Sequence, residues 1–239
     1  MTSGTAPSQA RLREARGPLK PDPRREAPAD QEPWQRRAFG APGDALRAAL
    51  IVLVTAAVTG GLTSFGQQYL PGELRSLANA SGTWFVVVVG ALVVARPSPV
   101  LAIILGILGL IVMNEAYGVV SRWRGFYYGG GVSSIWNQIA VLVGPVAGIA
   151  ATWLRSPRPV LVALGASAPA AVLIGEGLFG LTVVTDTTSP VFWSIEVAAG
   201  IAIVVVTAVG RLPTVPSIAV LVGASALGAA LFYVVYSSL

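Results

Sequence analysis

Three glutamates stand inside otherwise lipid-soluble sequence: Glu115 in LIVMNEAYG, Glu176 in LIGEGLFG and Glu196 in SPVFWSIEVAAG. An acidic side chain near the centre of a membrane helix costs about 2.5–3.5 kcal/mol on insertion scales, so it faces a bundle interior or water and marks a site by default. Amides and aromatics accompany them. Asn114 precedes Glu115, Asn137 and Gln138 stand in SSIWNQIAVLVGP, and Tyr117, Trp136 and Trp193 lie within a turn or two. Carboxylates beside aromatic faces suit a small cationic or flat heteroaromatic solute, through ion pairing, cation–π attraction and stacking. In this reading Glu115, Glu176 and Glu196 supply charge, Asn114, Asn137 and Gln138 orient the ligand, and Tyr117, Trp136 and Trp193 wall the site. The rival reading is structural. The glutamates then pair with Arg122 and Arg124, or with arginines of a membrane partner, and the amides act as interhelical glue worth about 0.6 kcal/mol each.

Catalysis finds little support. The chain has no His and no Cys, which removes the commonest general base, thiolate chemistry and the usual zinc ligands. Asp186 reads as a loop residue, so no span offers the paired aspartates of an intramembrane protease. The expectation is a membrane solute- or ion-binding protein with an outward-facing acidic and aromatic pocket, taking part in transport, with no catalytic residue, metal or cofactor.

The elements that position these residues follow from hydropathy. Of 239 residues, 54% are hydrophobic and only 11% charged, against roughly a quarter charged in a soluble domain. A membrane crossing needs about 20 apolar residues, and seven windows qualify: 44–66, 78–95, 99–121, 132–154, 158–181, 190–210 and 214–237. The fold class is an all-α membrane protein, a bundle of about seven transmembrane helices spanning 44–239.

Residues 1–43 are rich in Pro, Ala and Gly and read as a disordered basic tail. Nine of the 16 Lys and Arg lie before position 48, with six of the 11 Asp and Glu. Such a tail holds the N-terminus in the cytoplasm, and seven spans then leave the C-terminus outside. The interspersed acids and the lack of aromatic–basic alternation argue against nucleic-acid binding.

In that orientation the aromatics are one-sided. Of the 17 Trp, Tyr and Phe after position 44, only Trp153 falls at the inner end, whereas an ordinary aromatic belt decorates both interfaces. The inner turns ARPSPVLAIILG, LRSPRPVLVALG and GRLPTVPSIAVLVG repeat an Arg, two prolines and a new helix. They suggest one leading helix followed by three related hairpins.

The segments QQYLPGELRSLANASGTWFVVVVGALVVARPSP and YYGGGVSSIWNQIAVLVGPVAGIAATWLRSPRP resemble a family of uncharacterised actinobacterial integral membrane proteins over about residues 55–210. The resemblance rests on the LPG…LAN…W loop, the tandem Tyr127 and Tyr128, the Gly144–Pro145 pair and Trp153-Leu154-Arg155. It implies a multi-pass protein of a bacterial plasma membrane and adds no mechanism.

Overall fold

The structure, a computed structural model, describes residues 38–131 and 133–238. The expected tail lies, as far as residue 37, outside the described residues. The described chain is helical, with α1 (Pro42–Tyr69), a 3-10 segment (Gly72–Asn79), α2 (Ser81–Ala95), α3 (Pro99–Trp123), α4 (Ile135–Leu154), α5 (Pro159–Thr182), α6 (Pro190–Arg211) and α7 (Val215–Tyr236). Proline opens five of these helices within their first two positions, where its missing N–H has no intrahelical acceptor to lose.

Six of the helices are long and apolar enough to cross a membrane. Their faces are sorted as lipid requires. On α1, Leu46, Leu50, Val54, Val58 and Leu62 recur every fourth residue and are exposed, while Ala48, Val52, Ala56 and Gly60 face inward. Large apolar side chains meet lipid and small ones meet protein, the pattern of a bundle held by close packing.

The expected span 78–95 is different. Its helix, α2, has only 15 residues, about 22 Å at 1.5 Å per residue, short of the ~30 Å hydrocarbon core. It joins the 3-10 segment at a bend of 58°. The pair counts as a seventh crossing only as a broken span, and α2 consequently opens its N-terminus within the bundle.

Packing also departs from the three expected hairpins, which pair α2 with α3, α4 with α5 and α6 with α7. The largest helix interfaces are α5–α7, α3–α4, α5–α6 and α1–α3, whereas α6 and α7, joined by three residues, barely touch. Small side chains decide this. Between α3 and α4, a Cβ on Gly148 would lie 2.5 Å from the Ala102 carbonyl oxygen, and one on Gly144 would lie 2.5 Å from the Ile107 Cα. Backbones can approach so closely only where no side chain intervenes. α5 is the hub, packing on α2, α4, α6 and α7 with a buried surface made mostly of Gly and Ala.

Candidate functional site

The expected polar layer resolves into two clusters. The first joins α3, α4 and their connecting loop. Asn114 Nδ2 donates to Asn137 Oδ1 at 2.9 Å, and Asn137 Nδ2 donates to Glu115 Oε1 at 2.7 Å and to the Gly131 carbonyl at 3.0 Å. The Tyr128 hydroxyl donates to Asn114 Oδ1 at 2.8 Å. Asn114 and Asn137 are buried, while Glu115 is half-buried. Alongside runs an aromatic ladder: Trp84 meets Tyr117 edge-on at 6.2 Å, and Tyr117 meets Tyr128 at 5.4 Å. The Tyr117 hydroxyl donates to Gln67 Oε1 at 2.9 Å.

Tyr128 lies in the loop after α3, where burial and then the Glu115 charge push its phenol above the usual value. A raised folded-state value means the neutral phenol contributes stability that is intact below about pH 10, the ordinary tyrosine value, and lost as pH rises through the higher one. Tyr128→Phe is therefore expected to cost about 1 kcal/mol near neutrality, the worth of one net hydrogen bond. It is also expected to weaken the alkaline loss of stability, as read by denaturation at pH 8 and pH 11.

The second cluster joins α5, α6 and the start of α2. Ala80, the residue before α2, has no side chain able to cap the helix. Glu176 of α5 reaches across instead. Its Oε1 accepts from the Ser81 N–H and the Ser81 hydroxyl, each at 2.8 Å, and its Oε2 accepts from the Gly82 N–H. Two of the four unsatisfied N–H groups at this helix start are thereby met by a carboxylate, with the sign the helix dipole favours. Glu196 of α6 faces the same place. A Cβ on Gly82 would lie 2.7 Å from Glu176 Oε2 and 2.7 Å from Glu196 Oε1, so no side chain separates the two carboxyl groups. Glu176 is 1% exposed and Glu196 3%, and neither oxygen of Glu196 has a hydrogen-bond partner.

Between the clusters lies a cavity of about 460 Å³ formed by α2, α3, α4, α5 and α7. Ser81 and Asn114 bring one member of each cluster to its wall, joined by Trp84, Trp136, Phe232 and Tyr236, and the remaining lining is largely aliphatic. Leu142 of α4 and Leu231 of α7 line it and are themselves largely exposed, so the cavity opens toward lipid between those helices. The Trp84 indole N–H is buried without a partner.

Several expected site residues stand elsewhere. Gln138 is exposed and its amide donates to the Ser133 carbonyl at 3.2 Å. Trp193 is a packing residue: it is buried against Gly180, and its Nε1 donates to Thr188 Oγ1 at 2.8 Å. Of the nine expected residues, only Asn114 and Trp136 line the cavity.

The arginines do not reach the glutamates. Arg124 bonds Ser64 and Gln68 and lies 4.2 Å from the Phe65 ring centroid, while Arg122 lies 5.8 Å from that of Tyr128. The glycines beside the glutamates mark close packing: Tyr128 occupies the space over Gly118, the Ala229 backbone that over Gly175, and Val197 with the Trp193 backbone that over Gly177. Ser81, Gly82 and Tyr236 are the additions that the sequence did not single out, and Tyr128, marked there only by the family resemblance, joins them.

A helical bundle with lipid-facing leucines and valines, internal small residues and buried carboxylates defines a multi-pass membrane protein. Comparison with known proteins places it further: the chain belongs to a family of unknown function, DUF6518, which matches residues 40–239. No curated protein and no solved structure matches the chain.

Proposed function

We propose that this protein is a solute-binding protein of a bacterial plasma membrane, N-terminus in the cytoplasm, taking part in transport rather than catalysis. Its ligand is a flat heteroaromatic solute carrying a hydrogen-bond acceptor. The observation that carries this reading is the aromatic-rich cavity, one of whose wall residues, Trp84, keeps its indole N–H buried and unpartnered. A buried donor left unmet costs about 1–3 kcal/mol, and a ligand acceptor that the Trp84 ring turns to meet would recover it. The cavity's size falls among ordinary small-molecule sites, and the rings of Trp84, Phe85, Trp136, Phe232 and Tyr236 on its wall offer stacking surface. The cationic solute suggested by three glutamates fits less well, because no carboxylate lines the cavity.

Three probes separate the possibilities: quinoline, which has a ring acceptor, naphthalene, which has none, and N-methylquinolinium, which is cationic. Quinoline is expected to raise the melting temperature of the detergent-solubilised protein and to bind roughly fivefold more tightly than naphthalene, the equivalent of about one net hydrogen bond. Trp84→Phe is expected to abolish that preference. Equal binding of quinoline and naphthalene would remove the role of Trp84, and preference for N-methylquinolinium would restore the cationic reading.

A second reading, a non-transporting membrane scaffold or accessory subunit, draws on the first cluster, where Asn137 already satisfies Glu115 within the chain. It expects Glu115→Gln and Asn137→Ala to weaken folding or assembly while all three probes leave the protein unchanged.

A further inference from the structure

We infer that Glu196 is a proton-binding site, its carboxyl group holding one exchangeable proton against the carboxylate of Glu176. The geometry leaves few alternatives. Both carboxyl groups are buried and converge on the same side of Gly82 with no side chain between them. Glu176 receives three donors, the N–H groups of Ser81 and Gly82 and the Ser81 hydroxyl, all converging on its two oxygens. Those donors, with the positive end of α2 behind them, stabilise a charged Glu176.

Glu196 receives no donor at all. A second bare carboxylate beside the first would meet like-charge repulsion in a poorly polarisable interior, the circumstance in which one of two acids keeps its proton. A metal ion suits the place badly. The hydrogens of Ser81 and Gly82 already point at Glu176, and they belong to the positive end of a helix, which repels a cation that size. A proton needs only one oxygen to carry it and one to accept it.

The surrounding charges are few. From α7, Tyr236 is the titratable neighbour of both glutamates. The 3-10 segment also packs on α6, but its Glu73 and Arg75 are exposed, as is Asp186 in the loop before α6. No arginine reaches the pair among the described residues. Ser81 and Tyr236 line the cavity as well, so Glu176 and the Ser81 bonded to it stand between the proton and the cavity.

Infrared spectroscopy of the detergent-solubilised full chain tests this directly. At neutral pH the wild-type protein is expected to show the carbonyl band of a protonated carboxylic acid, shifted in D2O and absent from Glu196→Gln, whose amide still offers Glu176 a donor. An absent wild-type band, or one that persists in Glu196→Gln, overturns the assignment. The wild-type protein supplies a second test that needs no variant. Raising the pH is expected to remove the band as a single carboxyl group, and a band that does not shift in D2O would show a proton that is not exchangeable, which also overturns the proposal.

Discussion

Glu176→Ala is expected to lower the unfolding free energy by about 3 kcal/mol or more, the largest loss from any single carboxylate among the described residues. The change removes a cap and leaves its clients buried. Losing a helix cap costs about 1 kcal/mol, and each buried N–H left without a partner costs about 1–3 kcal/mol. The N–H groups of Ser81 and Gly82 would both lose their acceptor. Water offers poor compensation, because the bend at Ala80 holds this helix start inside the bundle, and Gly82 itself is buried.

Glu115→Ala provides the comparison. That carboxylate is half-buried and accepts one bond, from Asn137, so its loss is expected to cost about 1 kcal/mol. Thermal or denaturant unfolding of the two variants in the same detergent gives the ordering. If Glu115→Ala proves the more damaging, Glu176 is not the cap of α2.

The contrast also shows what could be read before the structure. Glu115, Glu176 and Glu196 announce themselves because a charge in lipid is expensive wherever the helix points. Their partition is not legible, since it depends on how each helix is rotated about its axis relative to its neighbours. Asn137 and Gln138 illustrate the difficulty: adjacent residues on a helix point about 100° apart, and that step takes Asn137 into the cluster and Gln138 outside it. The trans cap had no linear signature, because Ser81 and Glu176 are 95 residues apart.

The bend before α2 was hidden for a different reason. LPGELRSLANA is polar and short, so it reads as a loop, and nothing in hydropathy distinguishes a loop from a 3-10 turn that breaks a crossing. The helices themselves were legible to within about three residues at most ends, because lipid imposes length and composition together. The hairpin arrangement was not. Proline turns dictate where the chain reverses, but the Gly and Ala faces dictate which helices meet, and those faces join α3 to α4 and α5 to α7.

Gly148→Ala tests that last point with a change of one methyl group. Helix propensity alone favours alanine over glycine by about 0.8–1.0 kcal/mol at any interior position, so both Gly148→Ala in α4 and Gly223→Ala in α7 would stabilise if propensity governed. Around Gly223 nothing lies within 4 Å of the added carbon, and stabilisation of that order is expected there. At Gly148 the added carbon would lie 2.5 Å from the Ala102 carbonyl oxygen and 2.6 Å from the Ile103 Cα. Both are backbone atoms of α3 and cannot rotate aside.

Accommodating the methyl at Gly148 means moving one helix away from the other, and overpacking of this kind costs about 1–3 kcal/mol, occasionally more. The same pair of helices carries the Asn114–Asn137 and Asn137–Glu115 hydrogen bonds near their other ends, which a tilt would stretch. The two alanine substitutions are therefore expected to change stability in opposite directions, with Gly148→Ala lowering the melting temperature and Gly223→Ala raising it. Stabilisation by both would mean that α3 and α4 do not approach as closely as their glycines allow, and the first polar cluster would lose the scaffold that assembles it.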